Sequence, residues 1–158
     1  KEFSLVKEKT KLQSKLLNHP VNEYKESSLI GDIETTINQI KPDEIYIPHP
    51  SYNQDHRACH NASLIALRPH DVNFFVSRVF VYEQPHVFLW DNGAIKFNPT
   101  YFKSIDIEKK IELYEMMQSQ LRSFRSPDCV RSMAKLRGKQ SNLKYAEAFE
   151  VLRWVVND

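Results

Sequence analysis

Between Ser27 and Leu67 the chain passes through helix, tight turn, strand and helix with almost no connecting sequence. Ile30, Ile33, Ile37 and Ile40 recur at helical spacing over Ser27–Ile40, and Ser27 or Ser28 can cap that helix. Lys41-Pro42-Asp43 ends it, because a residue before proline avoids helical dihedrals. Glu44–Ile47 then reads as a short buried strand. A loop over Pro48–Tyr52 leads into a second helix, Gln54–Leu67, which stops at Arg68-Pro69. This alternation is that of an α/β domain with parallel strand pairing.

The flanking segments are expected to extend the same layer. Lys1–Lys15 is charged and suits the end of a helix, and Leu16-Leu17-Asn18 is a short strand candidate. Val76–Glu83 sets Val79 and Val81 against Phe80 and Tyr82, the period of a strand. Ile95–Phe97 is a further strand candidate. Ile107–Leu121 carries Ile107, Ile111, Tyr114 and Leu121 on one helical face, with Asp106 as its cap. Two more helices are expected over Cys129–Arg137 and Leu143–Val155, the second from the stripe of Tyr145, Phe149 and Leu152. The expectation is one α/β domain with a mostly helical C-terminal part.

Bulk properties exclude several classes. With 158 residues the chain can bury a core, and 41% hydrophobic against 27% charged residues is ordinary for a globular domain. No apolar run can span a bilayer, and no signal peptide is expected. Cys59 and Cys129 make neither a disulfide framework nor a zinc-finger spacing, so a reducing, cytoplasmic setting is the simplest reading. The only glycines are Gly31, Gly93 and Gly138, too scattered for a phosphate-cradling loop. The segment RSFRSPDCVRSMAKLRGK holds six cations against one acid, which suits an anion- or nucleic-acid-binding face. It lacks interleaved aromatics, and the net charge is only +2, so a solvated helix pair with no nucleic-acid partner is preferred.

The stretch IPHPSYNQDHRACHNAS concentrates His49, His56 and His60 just beyond the Glu44–Ile47 strand. Asn53 is a good helix cap, and Asp55 complements the positive end of the helix dipole. Structure alone therefore accounts for those two residues. It does not account for His56, whose charged form the same dipole opposes; the neutral imidazole favoured there is the form that ligates a metal. Asp55 can orient a neighbouring imidazole, and His60 lies one turn beyond His56 on the same face. The place, past the carboxyl end of a strand, is where open α/β sheets bind ligands. A metal site and a polar helix start both remain open on these residues.

Four motifs in order carry a resemblance. KPDEIYIPHPSYNQDHRACHNASLIALRP, RVFVYEQP, FNPTYFKSIDIEKKIELYEMMQSQLRSF and RGKQSNLKYAEAFEVLR resemble successive segments of the PIG-L/LmbE-like deacetylases, from about Ser28 onward. The resemblance implies a Rossmann-like sheet with helices on both faces. It implies a Zn2+-dependent hydrolase that removes N-acetyl groups from N-acetylglucosamine-type sugars or conjugates. His56 matches the zinc-ligating histidine of the family's His-x-Asp-His motif and Asp55 its supporting acid. Asn53 stands where that motif has its first histidine; an amide can donate to an oxyanion but cannot deliver a proton.

The family's N-terminal His-Pro-Asp-Asp-Glu motif, source of two further zinc ligands, has no counterpart here. His19-Pro20-Val21-Asn22-Glu23 is a decoy that lacks both carboxylates and fits a loop leading into the Ser27 helix. The chain, which begins at Lys1 without a methionine, thus resembles the C-terminal portion of one such domain, its first strand and helix missing and its zinc binding weak. The alternative is a non-catalytic remnant that binds a sugar, an anion or a protein partner. Tyr52, Tyr145 and Glu147 are substrate-facing candidates, against plain roles in covering a loop or filling a core. His60 is a lesser candidate ligand, His49 is read as solvent-facing, Arg68 as a helix-end anchor, and His70 and His86 receive no role. Cysteine catalysis by Cys59 is rejected, because the adjacent His60 is poorly placed to activate it. A homo-oligomer is compatible with the chain.

Overall fold

The structure is a computed structural model that describes residues 1–69, 71–85 and 96–156. In chain order the elements are α1 (Glu2–Thr10), α2 (Glu26–Ile40), β1 (Glu44–Pro48), α3 (Gln54–Ala66), β2 (Arg78–Tyr82), β3 (Tyr101–Ser104), α4 (Ile107–Glu115), α5 (Pro127–Gln140) and β4 (Ala146–Trp154). Two 3-10 turns, Gln118–Gln120 and Ser123–Arg125, join α4 to α5. The sheet runs β1-β2-β4-β3. β1 and β2 pair in parallel, as the alternation predicts, and β4 pairs antiparallel with both β2 and β3, so the sheet is mixed.

The two faces are built differently. Ile47, Val79 and Val81 meet Ile37 of α2 and Ala66 of α3 in one aliphatic core, with Ile33 and Ile45 packed against it. On the opposite face Tyr46, Phe80, Tyr101, Phe149 and Trp154 stack ring on ring, with centroids 5.0–6.4 Å apart. Alongside that layer, Ile107 and Ile111 of α4 pack on Val130 and Ala134 of α5. Helices thus lie on both faces of an open, Rossmann-like sheet, and the part of the chain beyond β3 is mostly helical.

Local signals set several boundaries. The Asp106 carboxylate accepts the N–H groups of Glu108 and Lys109 and starts α4. The Ser126 hydroxyl accepts Cys129 N–H with Pro127 in the first turn, so α5 begins two residues before the expected Cys129. Gly138 is required by close approach: a Cβ there would stand 2.8 Å from the carbonyl oxygens of Leu143 and Lys144. Lys41 ends α2 in the left-handed conformation, and its N–H returns to the Ile37 carbonyl.

Other expectations are corrected. Leu143–Val155 is not a helix: its core is β4, central in the sheet, where neighbours on both sides satisfy its backbone groups. Phe80 pairs with Val151 and Val79 with Arg153, so Leu152 is the extra residue of a bulge. That insertion breaks the period of two and leaves Tyr145, Phe149 and Leu152 at a spacing that imitates a helix. β3 was not foreseen. Lys96 and Phe97 are not in a strand, and Ile95 lies outside the described residues. Leu16–Asn18 forms no strand, and α4 stops at Glu115 rather than Leu121. Lys25, with no side-chain capping bond, occupies the cap position expected of Ser27 or Ser28. Ile40 is exposed, while Leu29 joins the buried face of α2. Among the described residues no helix is long and apolar enough to cross a membrane.

Candidate functional site

β1 delivers the loop 49–53 to the first turn of α3, and side chains of that helix hold the loop in place. The His60 ring donates from Nδ1 to the Pro48 carbonyl at 2.8 Å. Arg57 donates to the Ser51 carbonyl at 2.9 Å. His49 N–H continues the ladder to the Tyr82 carbonyl. The His49 side chain is buried, not solvent-facing: its Nε2 reaches the Lys96 carbonyl at 3.1 Å, and its ring meets Phe97 edge to face. The sequence places it in a polar loop; only the return of residues 96–97 over the strand end encloses it.

Asn53 caps α3, its Oδ1 accepting the N–H groups of Asp55 and His56 at 2.8 and 3.3 Å. That carbonyl oxygen is engaged, and the NH2 group is what the side chain can still offer a substrate oxygen. Asp55 is buried, and its carboxylate accepts Asn22 N–H at 2.6 Å and Tyr24 N–H at 3.3 Å. The acid expected to support a neighbouring imidazole thus ties the turn at residues 20–24 to α3. That turn is the decoy segment: Asn22 adopts a positive φ, and His19 pairs with Asp32 of α2 at 2.9 Å.

The ring of His56 is oriented by Ser51 instead, Oγ to Nδ1 at 2.8 Å. The fully buried Ser51 hydroxyl also accepts Asn53 N–H. Burial pushes the His56 imidazole below its ordinary pKa; Asp55 and the Gln84 side chain pull the other way, and the Arg125 charge adds to the lowering. Burial lowers His60 as well. Both rings are therefore biased to the neutral form. With the proton on Nδ1 and donated to Ser51, the His56 ring adopts the tautomer of histidines that ligate a metal through Nε2, and the Gln84 side chain stands beside it. Ser51, Gln84 and Arg125 are the residues that sequence reasoning missed. Ser51 lies inside the quoted motif, but nothing in a lone serine marks it as the partner of a ring five residues on.

Tyr52 is exposed on the same loop. Tyr145 and Glu147 lie elsewhere, at the start of β4. Tyr145 packs against the Ile107, Ile111, Val130 and Ala134 cluster, under the ammonium of Lys144. Glu147 pairs with Lys110 and lines a cavity of about 590 Å³ between the aromatic sheet face and α4 and α5. Arg68 donates to the Ile65 carbonyl at the end of α3. His70 and His86 lie outside the described residues. Among the described residues no group of three His, Cys, Asp or Glu side chains stands close enough to hold a metal ion. His56, with its neighbouring carboxylate taken by backbone amides, does not complete a zinc site with them.

No protein-family model and no curated protein matches the chain. Solved structures do. The N,N'-diacetylchitobiose deacetylase of Pyrococcus horikoshii superposes with a TM-score of 0.75 at 18% identity, over 96% of this chain and 61% of that one. A conserved protein of Thermus thermophilus matches with a TM-score of 0.72 at 17% identity, over 99% and 74%. The 4-carboxy-2-hydroxymuconate hydratase GalB of Pseudomonas putida KT2440 matches with a TM-score of 0.65 at 17% identity, over 99% and 72%. The chain shares the fold of these structures and spans about three-fifths of the length of the chitobiose deacetylase. A hydratase and a deacetylase share this fold, so architecture alone does not select the reaction.

Proposed function

We propose that this chain is the C-terminal portion of a single PIG-L/LmbE-like N-deacetylase domain. Its reaction is the zinc-dependent hydrolysis of the N-acetyl group of an N-acetylglucosamine-type sugar or glycoconjugate. The observation that carries this reading is His56: a desolvated imidazole, oriented through Nδ1, in the first turn of the helix that follows β1. The deacetylase-like fold and the four motifs support it. Since the described residues do not fit a whole zinc site, His56 is one ligand, and the others come from outside them. The roles open to this chain are to present His56 on Ser51, to hold Asn53 at the helix cap, and to fix the loop through Asp55 and His60.

A second reading, a non-catalytic remnant that binds a sugar or a partner, is favoured by one observation. The Asp55 carboxylate, expected to support the zinc-ligating imidazole, is engaged by backbone amides. The two separate on the native protein, purified with any residues that precede Lys1. The deacetylase reading expects stoichiometric zinc and acetate release from N-acetylglucosamine conjugates, with both lost in His56→Ala, by about a hundredfold or more in rate. Sugar binding that ignores zinc, with no acetate released, would establish the remnant.

A further inference from the structure

The cavity beneath α4 and α5 is not explained by the His56 site. Its volume, about 590 Å³, is in the range that holds a small organic ligand. Tyr46, Tyr82 and Phe149 form an aromatic floor on the sheet, and Met133 and Ala134 of α5 face it. Such walls suit an apolar body, flat or flexible, whose burial needs no polar compensation.

The charged groups in the lining select the rest of the ligand. They are three cations against two carboxylates. Arg137 is paired with Glu83, and Lys110 with Glu147. Lys103, across the β3–β4 ladder from Glu147, makes no ion pair among the described residues. The described lining therefore carries a net charge of +1, and the exposed Lys103 ammonium is complementary to one negative charge on the ligand.

We propose that this cavity binds a small amphipathic anion: an apolar body bearing a single carboxylate, phosphate or sulfonate, the anionic group on Lys103 and the body on Tyr46, Tyr82 and Phe149. The site goes beyond the deacetylase reading and requires neither zinc nor His56. It adjoins that site all the same, because Glu83 and Pro85 line the cavity and Gln84 between them stands beside His56.

A matched pair of dyes tests it on the full chain. 8-Anilino-1-naphthalenesulfonate carries an apolar body and one anion; N-phenyl-1-naphthylamine carries the same body and no charge. Fluorescence titration is expected to show one saturable equivalent of each, with the anionic dye bound about fivefold more tightly. Lys103→Gln should bring the two affinities together and leave the neutral dye unchanged. Ala134→Leu, which fills the cavity, should weaken both dyes. Should that variant fail to fold, amide chemical-shift mapping on the wild type replaces it: perturbations centred on Tyr46, Met133 and Phe149 support the site. Binding of several equivalents, a preference that survives Lys103→Gln, dye affinity indifferent to a folded Ala134→Leu, or shifts centred elsewhere would each overturn the proposal. None of these outcomes bears on zinc or acetate release, so the fate of the deacetylase reading is decided separately.

Discussion

On one face of the sheet Ile47, Val79 and Val81 interlock with the aliphatic side chains of α2 and α3. On the other, five aromatic rings lie against one another, α4 and α5 cover them in part, Trp154 stays half exposed and a ligand-sized cavity remains. Branched aliphatic groups close-pack because each is small enough to fill the gap its neighbours leave. Large flat rings satisfy one another by stacking and edge contacts, and the helices above them rest on a layer with few crevices to enter. The comparison teaches that the aliphatic face is sealed by many small contacts, that the aromatic face concentrates its packing in a few large rings, and that the open space beside those rings is where a ligand can be accommodated.

The largest effect expected is at the centre of the aromatic layer. Phe80→Ala removes the ring that touches four others and should cost roughly 3–5 kcal/mol, against about 2 kcal/mol for Val81→Ala on the aliphatic face. Urea unfolding of both variants checks this, and a costlier Val81→Ala would break the comparison. Close behind comes the ion pair at the cavity wall. Arg137 binds the Glu83 carboxylate with two nitrogens, donates to Gln140 at 2.8 Å and lies over the Phe97 ring, with little exposure on either partner. Arg137→Met should cost roughly 3–5 kcal/mol by stranding Glu83, and adding Glu83→Leu should recover much of that in a double-mutant cycle.

Asp55→Asn is expected to be milder, about 2 kcal/mol, because it weakens charge-assisted bonds to two amides. Hydrogen exchange should accelerate at Asn22 and Tyr24 ahead of the sheet; unchanged protection there would deny Asp55 its tethering role. The smallest effect is in pH. Burial lowers His56 and His60 from their ordinary value of 6.5, so in that range the unfolded chain binds more protons than the folded one. Stability should therefore fall as pH drops from about 7.5 to about 5.5, and the slope should flatten in a His56→Gln, His60→Gln double variant. A melting temperature that rises as the solution is acidified through that range would contradict the assignment of both rings as neutral.

Much of the fold was legible residue by residue. α2, β1, α3 and β2 stand where periodicity and the breakers at Lys41-Pro42 and Arg68-Pro69 put them, because those signals act within a few residues. The site was legible in part: the cap geometry of Asn53 followed from its type and place, and so did the position of His56 in the first turn of α3. The engagement of Asp55 could not be read, because its partners, Asn22 and Tyr24, are more than thirty residues away and belong to a turn with no regular pattern. The burial of His49 is illegible for the same reason, since its enclosure depends on Lys96 and Phe97 returning to it.

By itself, then, the sequence determined the helix caps at Asn53 and Asp106, the parallel start of the sheet and the histidine at the carboxyl end of β1, all of them matters of local sterics and short-range hydrogen bonding. Tertiary structure decided the rest. It made a strand of Ala146–Trp154, whose apolar spacing imitates a helix, because only a central place between β2 and β3 satisfies that backbone on both sides. It likewise set five aromatic residues from β1, β2, β3 and β4 in one layer and left Lys103 at its edge with no ion-pair partner among the described residues, arrangements that exist only once strands distant in sequence lie side by side.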